Sequence, residues 1–300
     1  MGRILGPRRL DDGRSGRRRG CPAPKGRLMP HSSAITAATA SGSPSGAHRS
    51  PTGAMLHAEW TKFRTTPGMI WLLLIAIAAT VTVSVLAIST ADCPQRDCGV
   101  SATLTGVRVG QAVIAIVAVL VIGDEYRTGM IRTTLVAMPR RTGMLAAKVA
   151  VVSAVLTVAS ATAVLGSFVA GLHLLPGRDL PALSLTEGEV IRAFGGSILY
   201  LTMIGLLGVG VTVVLRSPAA AIGSVLGLLY VFPIVAAAVP DQDWERRLQQ
   251  IGPMDAGLAI QRTGDLTDLP VQPWHGLGVV ALWAVAALLT AAVLLHRRDA

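Results

Sequence analysis

The sequence predicts an all-α integral membrane protein with six transmembrane helices. The distribution of charge shows this first. Beyond Arg64, long stretches without Asp, Glu, Lys or Arg run over 65–91, 109–123, 149–177, 193–215, 217–240 and 269–296, separated by short charged loops. Composition agrees: 51% of residues are hydrophobic and 15% charged, against about 25% charged in a soluble domain. A membrane domain over 55–300 therefore leaves no room for a soluble catalytic domain.

Five of the six stretches supply the roughly 20 apolar residues that a spanning helix needs. The second is shorter, but apolar residues continue upstream past Arg108 to Ser101. An arginine near a helix end reaches the headgroups with its flexible stem, so this stretch also counts as a span. Spans 4 and 5 are joined by Arg216-Ser217-Pro218, where Ser217 is placed to cap the fifth helix and Pro218 suits its first turn. Span 4 carries Gly195, Gly196, Gly205, Gly208 and Gly210, and span 5 carries Ala219, Gly223 and Gly227 at four-residue spacing. Small residues let membrane helices approach closely, so Gly205, Gly223 and Gly227 are expected at packing contacts. Pro233 should bend span 5 in its second half.

Ahead of span 1, Leu56, Trp60 and Phe63 recur at i, i+4 and i+7, while Glu59, Lys62 and Arg64 project elsewhere. This pattern fits a short helix lying in the membrane interface, with Trp60 and Phe63 facing the apolar side and Lys62 the water. Pro67-Gly68 should separate it from the span. Residues 1–54 are different in kind. They form a basic, Ser/Gly/Pro-rich tail that cannot bury a core and is expected to be disordered. Ten of the 27 basic residues lie within the first 58 positions. Met55 opens the segment that makes structural sense, so a translation start there is credible. The tail lacks the apolar h-region of a signal peptide; its charge suits contact with anionic lipid or nucleic acid, but an inert tail is the favoured reading and no nucleic-acid partner is expected.

Basic residues in the loops set the orientation. With residues 59–64 inside, the cytoplasmic loops hold ten Lys and Arg and the outer loops seven; both termini are then cytoplasmic. Cys93 and Cys98 fall in the first outer loop, where an oxidising exterior permits a disulfide; the alternative is two free thiols in a loop. Neither is accompanied by a histidine, so no metal site is expected.

The chain lacks the motifs of several activities. No span carries a charge near its middle, which argues against a proton-driven carrier. There is no G-x-x-x-x-G-K-[ST] phosphate loop, so the chain is not expected to hydrolyse ATP. No catalytic residues are evident, and His57, His173, His275 and His296 all lie near span ends. Energy for any uphill transport must therefore come from a partner. The place to dock one is the longest cytoplasmic loop, 123–142. It combines Arg127, Arg132, Arg140 and Arg141 with Ile131, Leu135 and Met138 on one helical face. Docking on a soluble subunit and lying on anionic lipid fit these residues equally.

Three segments carry a family resemblance: Ala58-Glu-Trp-Thr-Lys-Phe-Arg-Thr65, Asp124-Glu-Tyr-Arg-Thr-Gly-Met-Ile-Arg-Thr-Thr-Leu135 followed by Pro139-Arg140-Arg141, and Leu294-Leu-His-Arg-Arg-Asp-Ala300. The second is the specific one. Over 55–300 the chain resembles the bacterial six-span permease of an ATP-binding-cassette exporter of the second type. The high Arg-to-Lys ratio, 24 to 3, also suits a GC-rich bacterial genome, and the resemblance implies the bacterial plasma membrane. It implies further that the permease pairs with a second permease, as a homodimer or with a sister chain, and binds a cytoplasmic ATPase subunit that holds the ATP and magnesium. Glu125, Tyr126, Arg127, Gly129, Ile131, Arg132 and Leu135 would then contact the ATPase or hold a coupling helix. The implied function is export of a hydrophobic or amphipathic substrate such as a drug, lipid or peptide. The alternative is a non-transporting scaffold or sensor that binds a cytoplasmic regulatory protein.

Overall fold

The computed structural model describes residues 53, 57, 59–61, 64–91, 98–128, 141–175, 188–264 and 270–297. The 1–54 tail, apart from residue 53, lies outside them, as do Lys62, Phe63, Cys93, Gly129, Ile131, Arg132 and Leu135. All described residues are helix or the short connections between helices, with no strand among them.

Six helices are long and apolar enough to cross a membrane. Span 1 is α1, Pro67–Thr90. At about 1.5 Å per residue its 24 residues cover roughly 36 Å, against about 30 Å of hydrocarbon. Span 2 combines α2 (Cys98–Leu104) and α3 (Val107–Arg127); Arg108 lies within it, as the upstream apolar residues predict. Span 3 is α4, Arg141–Leu174, and span 4 is α5, Gly188–Leu215. Span 5 begins as α6, Pro218–Leu226, loosens into a π turn at Gly227–Val231 and resumes as α7, Phe232–Ala237. Span 6 is α10, Pro273–Arg297, after two shorter helices, α8 (Gln242–Ile251) and α9 (Pro253–Leu258).

The ends of these helices follow local chemistry. Ser217 is extended and its side chain accepts from the Ala220 amide at 3.4 Å, with Pro218 in the first turn. Arg216 before it takes φ 54°, the left-handed conformation that lets α5 stop and the chain reverse. The π turn has an equally local cause. Pro233 has no N–H for the carbonyl four residues back, at Leu229, and its ring crowds that carbonyl. The helix widens there, so that the Phe232 amide bonds to the Gly227 carbonyl. Before span 1, Glu59–Thr61 and Arg64–Thr65 are helical, and the extended Thr66 breaks the path ahead of Pro67.

α5 is the axis of the bundle, packing against α3, α4, α6 and α10, while α1 lies on α3 and α4. The most apolar windows of spans 2 and 4 are each 61% buried, against 22% for spans 1, 5 and 6. This division assigns spans 2 and 4 to the centre and the other three to the rim. In a bilayer such packing rests on close approach and on paired polar groups rather than on expelled water. Thr157 and Thr202 hydroxyls meet at 3.2 Å between α4 and α5, and the Phe168 and Phe194 rings meet edge to face at 5.0 Å.

The expected small-residue contacts divide. Gly205 presses on the Leu156 side chain. A Cβ added at Gly223 or Gly227 would meet no other helix among the described residues within 4 Å. The tightest small-residue contact between the central helix and span 6 is at Gly210, where a Cβ would stand 2.7 Å from the Ala287 Cβ and 2.9 Å from the Leu288 amide nitrogen. Since part of that obstacle is backbone, Gly210→Ala should push α5 and α10 apart and cost about 1–3 kcal/mol. Thermal unfolding in detergent measures this. Gly223→Ala should leave the melting temperature unchanged, and a fall there would reveal another chain against that face.

Candidate functional site

The residues singled out in the loop motif begin at the last turn of α3, and the structure turns them in different directions. Glu125 points inward and is 3% exposed. Its Oε1 accepts from Lys148 Nζ at 2.5 Å, and the same ammonium donates to Glu59 Oε1 at 2.7 Å. Lys148, on α4, is 4% exposed. One buried cation thus joins the helical residues before span 1, the end of span 2 and the start of span 3. Lysine suits the position because its compact ammonium offers three donors on a flexible stem. Taking these charges out of water is costly, so the cluster acts mainly by fixing geometry.

Tyr126 is half-buried against the core, and its buried hydroxyl has no hydrogen-bond partner among the described residues. Arg127 faces outward and pairs with Asp124 at 3.6 Å, both side chains being well exposed. A pair of that kind contributes a few tenths of a kcal/mol at most. Gly123, at the head of the motif, lies against the Pro218 ring: a Cβ there would stand 2.6 Å from its Cγ. The end of span 2 is therefore seated on the turn between spans 4 and 5 as well as tied to span 3. The remaining motif residues, Gly129, Ile131, Arg132 and Leu135, lie in the segment outside the described residues that follows directly.

Ahead of the same end, Trp60 lines an apolar groove of about 410 Å³ with Ile70, Leu74, Val155 and Val158. Of the apolar face expected ahead of span 1, Trp60 alone lies among the described residues, and it faces this groove between α1 and α4. Cys98 is disulfide-bonded, and both other cysteines, Cys21 and Cys93, lie outside the described residues. Among the described residues no group of three His, Cys, Asp or Glu side chains is arranged to hold a metal ion.

The opposite end of the bundle is built by the stretch 241–270, which reads in the sequence as an outer loop that gates release or, on the favoured reading, covers the dimer. Asp241 caps α8, accepting from the Asp243 and Trp244 amides at 2.9 and 3.4 Å. α9 and the 3₁₀ turn Ala259–Gln261 then dip back among the spans, burying Pro253, Ala256, Gly257, Leu258 and Ile260. Polar bonds hold this segment to the spans. Arg192 donates to the Arg262 carbonyl at 2.6 Å, the Gly264 amide to Glu189 Oε2 at 2.9 Å, and Trp283 Nε1 to the Ile251 carbonyl at 3.0 Å. Between the segment and the start of α3 lies a cavity of about 270 Å³, lined by Arg108, Gln249, Met254, Asp255, Leu258, Ala259, Arg262, Pro270 and Val271. Burial pushes the Asp255 carboxyl above its usual value, and the Arg108 guanidinium draws it part of the way back. Nearby, the Tyr200 hydroxyl donates to Gln111 Oε1, both residues fully buried, and the Tyr230 hydroxyl donates to the Arg108 carbonyl at 2.5 Å.

Residues 55–239 match the family model described as ABC-2 family transporter protein. The chain belongs to that family. It is a multi-pass membrane permease of an ATP-binding-cassette transporter, a class that works in complex with an ATPase. Comparison with curated proteins gives no match. The matched stretch contains the Glu59–Lys148–Glu125 cluster and ends just before the segment that forms the far cavity.

Lys148→Met should strand two carboxylates and cost about 3–5 kcal/mol. Combining it with Glu125→Gln should recover part of that loss, as thermal unfolding of purified protein in detergent would measure. At the far end, the raised Asp255 value means that the folded state binds the proton more tightly than the unfolded one. That contribution is complete below the ordinary carboxylate value and is lost as pH rises through the raised one. Asp255→Asn should therefore raise the melting temperature at neutral pH and leave it less dependent on pH above the ordinary carboxylate value of about 3.9.

Proposed function

We propose that this permease exports a hydrophobic or amphipathic substrate across the bacterial plasma membrane, driven by ATP and magnesium bound in a separate cytoplasmic ATPase subunit. Both termini and the 123–142 loop face the cytoplasm, and a second permease, identical or a sister chain, completes the pathway. The observation that carries the coupling role is the Glu59–Lys148–Glu125 cluster at the base of the loop motif. Arg127 faces outward, where a subunit can reach it, while Glu125, two residues earlier, is tied to span 3 and to the residues before span 1. A push on the segment from Gly129 to Leu135 would be delivered through this junction to three parts of the bundle at once. ATP-driven closure of the ATPase pair then biases inward- and outward-open states by making different contacts with each. Ile131 and Leu135 serve as apolar anchors, and Arg132 as part of a charged rim. The Cys98 disulfide is assigned to Cys93 in the first outer loop.

Affinity purification from the native membrane in mild detergent tests this reading. A stoichiometric ATP-binding-cassette subunit with vanadate-sensitive ATP hydrolysis is the expected result. Isolation without an ATPase would overturn it. Arg132→Glu should lower recovery of the ATPase several-fold while membrane insertion and the melting temperature of the permease stay unchanged. Glu125→Lys should lower recovery as well, together with the melting temperature, because it places two cations in one buried site.

A further inference from the structure

The far cavity is absorbed neither by the coupling mechanism nor by the family match. Its wall combines two guanidiniums, Arg108 from span 2 and Arg262 from beyond the 3₁₀ turn, with the carboxyl of Asp255 and the apolar side chains of Met254, Leu258 and Val271. Among the described lining residues two cations face one acid. Among the described residues neither guanidinium forms an ion pair. The wall is also held in place. The Tyr230 hydroxyl fixes the backbone at Arg108, and Arg192 fixes the backbone at Arg262.

Size narrows the ligand. Pockets that enclose a drug-sized molecule run from about 300 to 1,000 Å³, so about 270 Å³ suits a headgroup better than a whole amphiphile. Paired guanidiniums recognise phosphate and carboxylate through forked donors. The apolar part of the wall accepts the first carbons attached to such a group, and the rest of the molecule can remain among the spans.

Resting on the permease reading, we propose that this cavity binds the anionic headgroup, phosphate or carboxylate, of an amphiphilic substrate, with Arg108 and Arg262 as its ligands. Asp255 sits beside Arg108 and competes with the bound anion for it, so the site favours ligands whose charge can displace that attraction. The arginines and the acid therefore act in opposite directions, which simple structural roles would not produce.

Equilibrium binding to the full chain in phosphatidylcholine nanodiscs tests this without the ATPase, so the result stands apart from the coupling experiment. Three probes are compared: dihexanoyl phosphatidylglycerol, dihexanoyl phosphatidylcholine and inorganic phosphate. Phosphatidylglycerol should bind saturably, and phosphatidylcholine should bind at least tenfold more weakly. Arg108→Gln and Arg262→Gln should each weaken phosphatidylglycerol binding about tenfold, and Asp255→Asn should tighten it several-fold. Arg108 and Arg262 are both exposed, so neither substitution should prevent folding; Arg108→Lys should retain part of the affinity. Inorganic phosphate binding as tightly as the lipid, and weakened by the same substitutions, would overturn the amphiphile assignment in favour of a free-anion site. Equal binding by all variants, or loss of binding in Asp255→Asn, would overturn the anion site itself.

Discussion

Hydrocarbon offers no hydrogen bonds, so a chain that crosses it must satisfy every backbone polar group internally. The long helices follow from this, and so do the places where helices break. At Thr105-Gly106, between α2 and α3, the Ser84 hydroxyl of α1 accepts from the Gly106 amide at 3.2 Å. At Pro233 the helix widens into a π turn rather than opening. α9 re-enters the bundle where span 6 covers it, with spans 4 and 5 beside it. Side chains obey the same rule. Buried Thr80, Thr103 and Thr212 each donate to the carbonyl four residues back, at 2.7–2.8 Å. Hydroxyls can therefore lie inside the spans at little cost.

Charge is rationed in the same way, which explains the division of labour between the two ends. Ion-paired groups are enclosed at one end, where Lys148 holds two carboxylates and makes a rigid junction. At the other end the guanidiniums of Arg108 and Arg262 line a cavity near an exposed surface, where water can solvate them when no ligand is present. On the proposed roles, transmission and recognition place opposite demands on a charged side chain, and keeping the two groups at opposite ends of the bundle would meet both.

Much of the fold was legible because charge exclusion from hydrocarbon is a strong local signal. The uncharged run 193–215 became Gly188–Leu215, and 65–91 became Pro67–Thr90. Pro233 announced an irregular helix, Ser217 a helix start, and the apolar stretch reaching back to Ser101 a longer second span. The direction of side chains was less legible. The motif Asp124–Arg127 reads as a uniformly charged surface, yet Glu125 and Arg127 face opposite ways on the helix, and only a partner on a distant helix decides which is buried. Lys148 left one faint trace: it is one of three lysines in a chain with 24 arginines. The re-entrant segment left less still. α9 is a six-residue helix containing Pro253, Asp255 and Gly257, a composition that reads as loop until the spans supply its walls.

The boundary of the family match gives the two ends separate histories to answer to. Residues 55–239 contain the junction around Lys148, whereas Gln249, Met254, Asp255, Leu258, Arg262 and Val271 all come from the chain after it. Of the charged groups around the cavity, only Arg108 belongs to the shared portion. On the proposed roles, this arrangement amounts to an interchangeable lock on a common engine. Grafting the stretch between spans 5 and 6 from a relative would then change what the cavity accepts and leave the junction around Lys148 untouched.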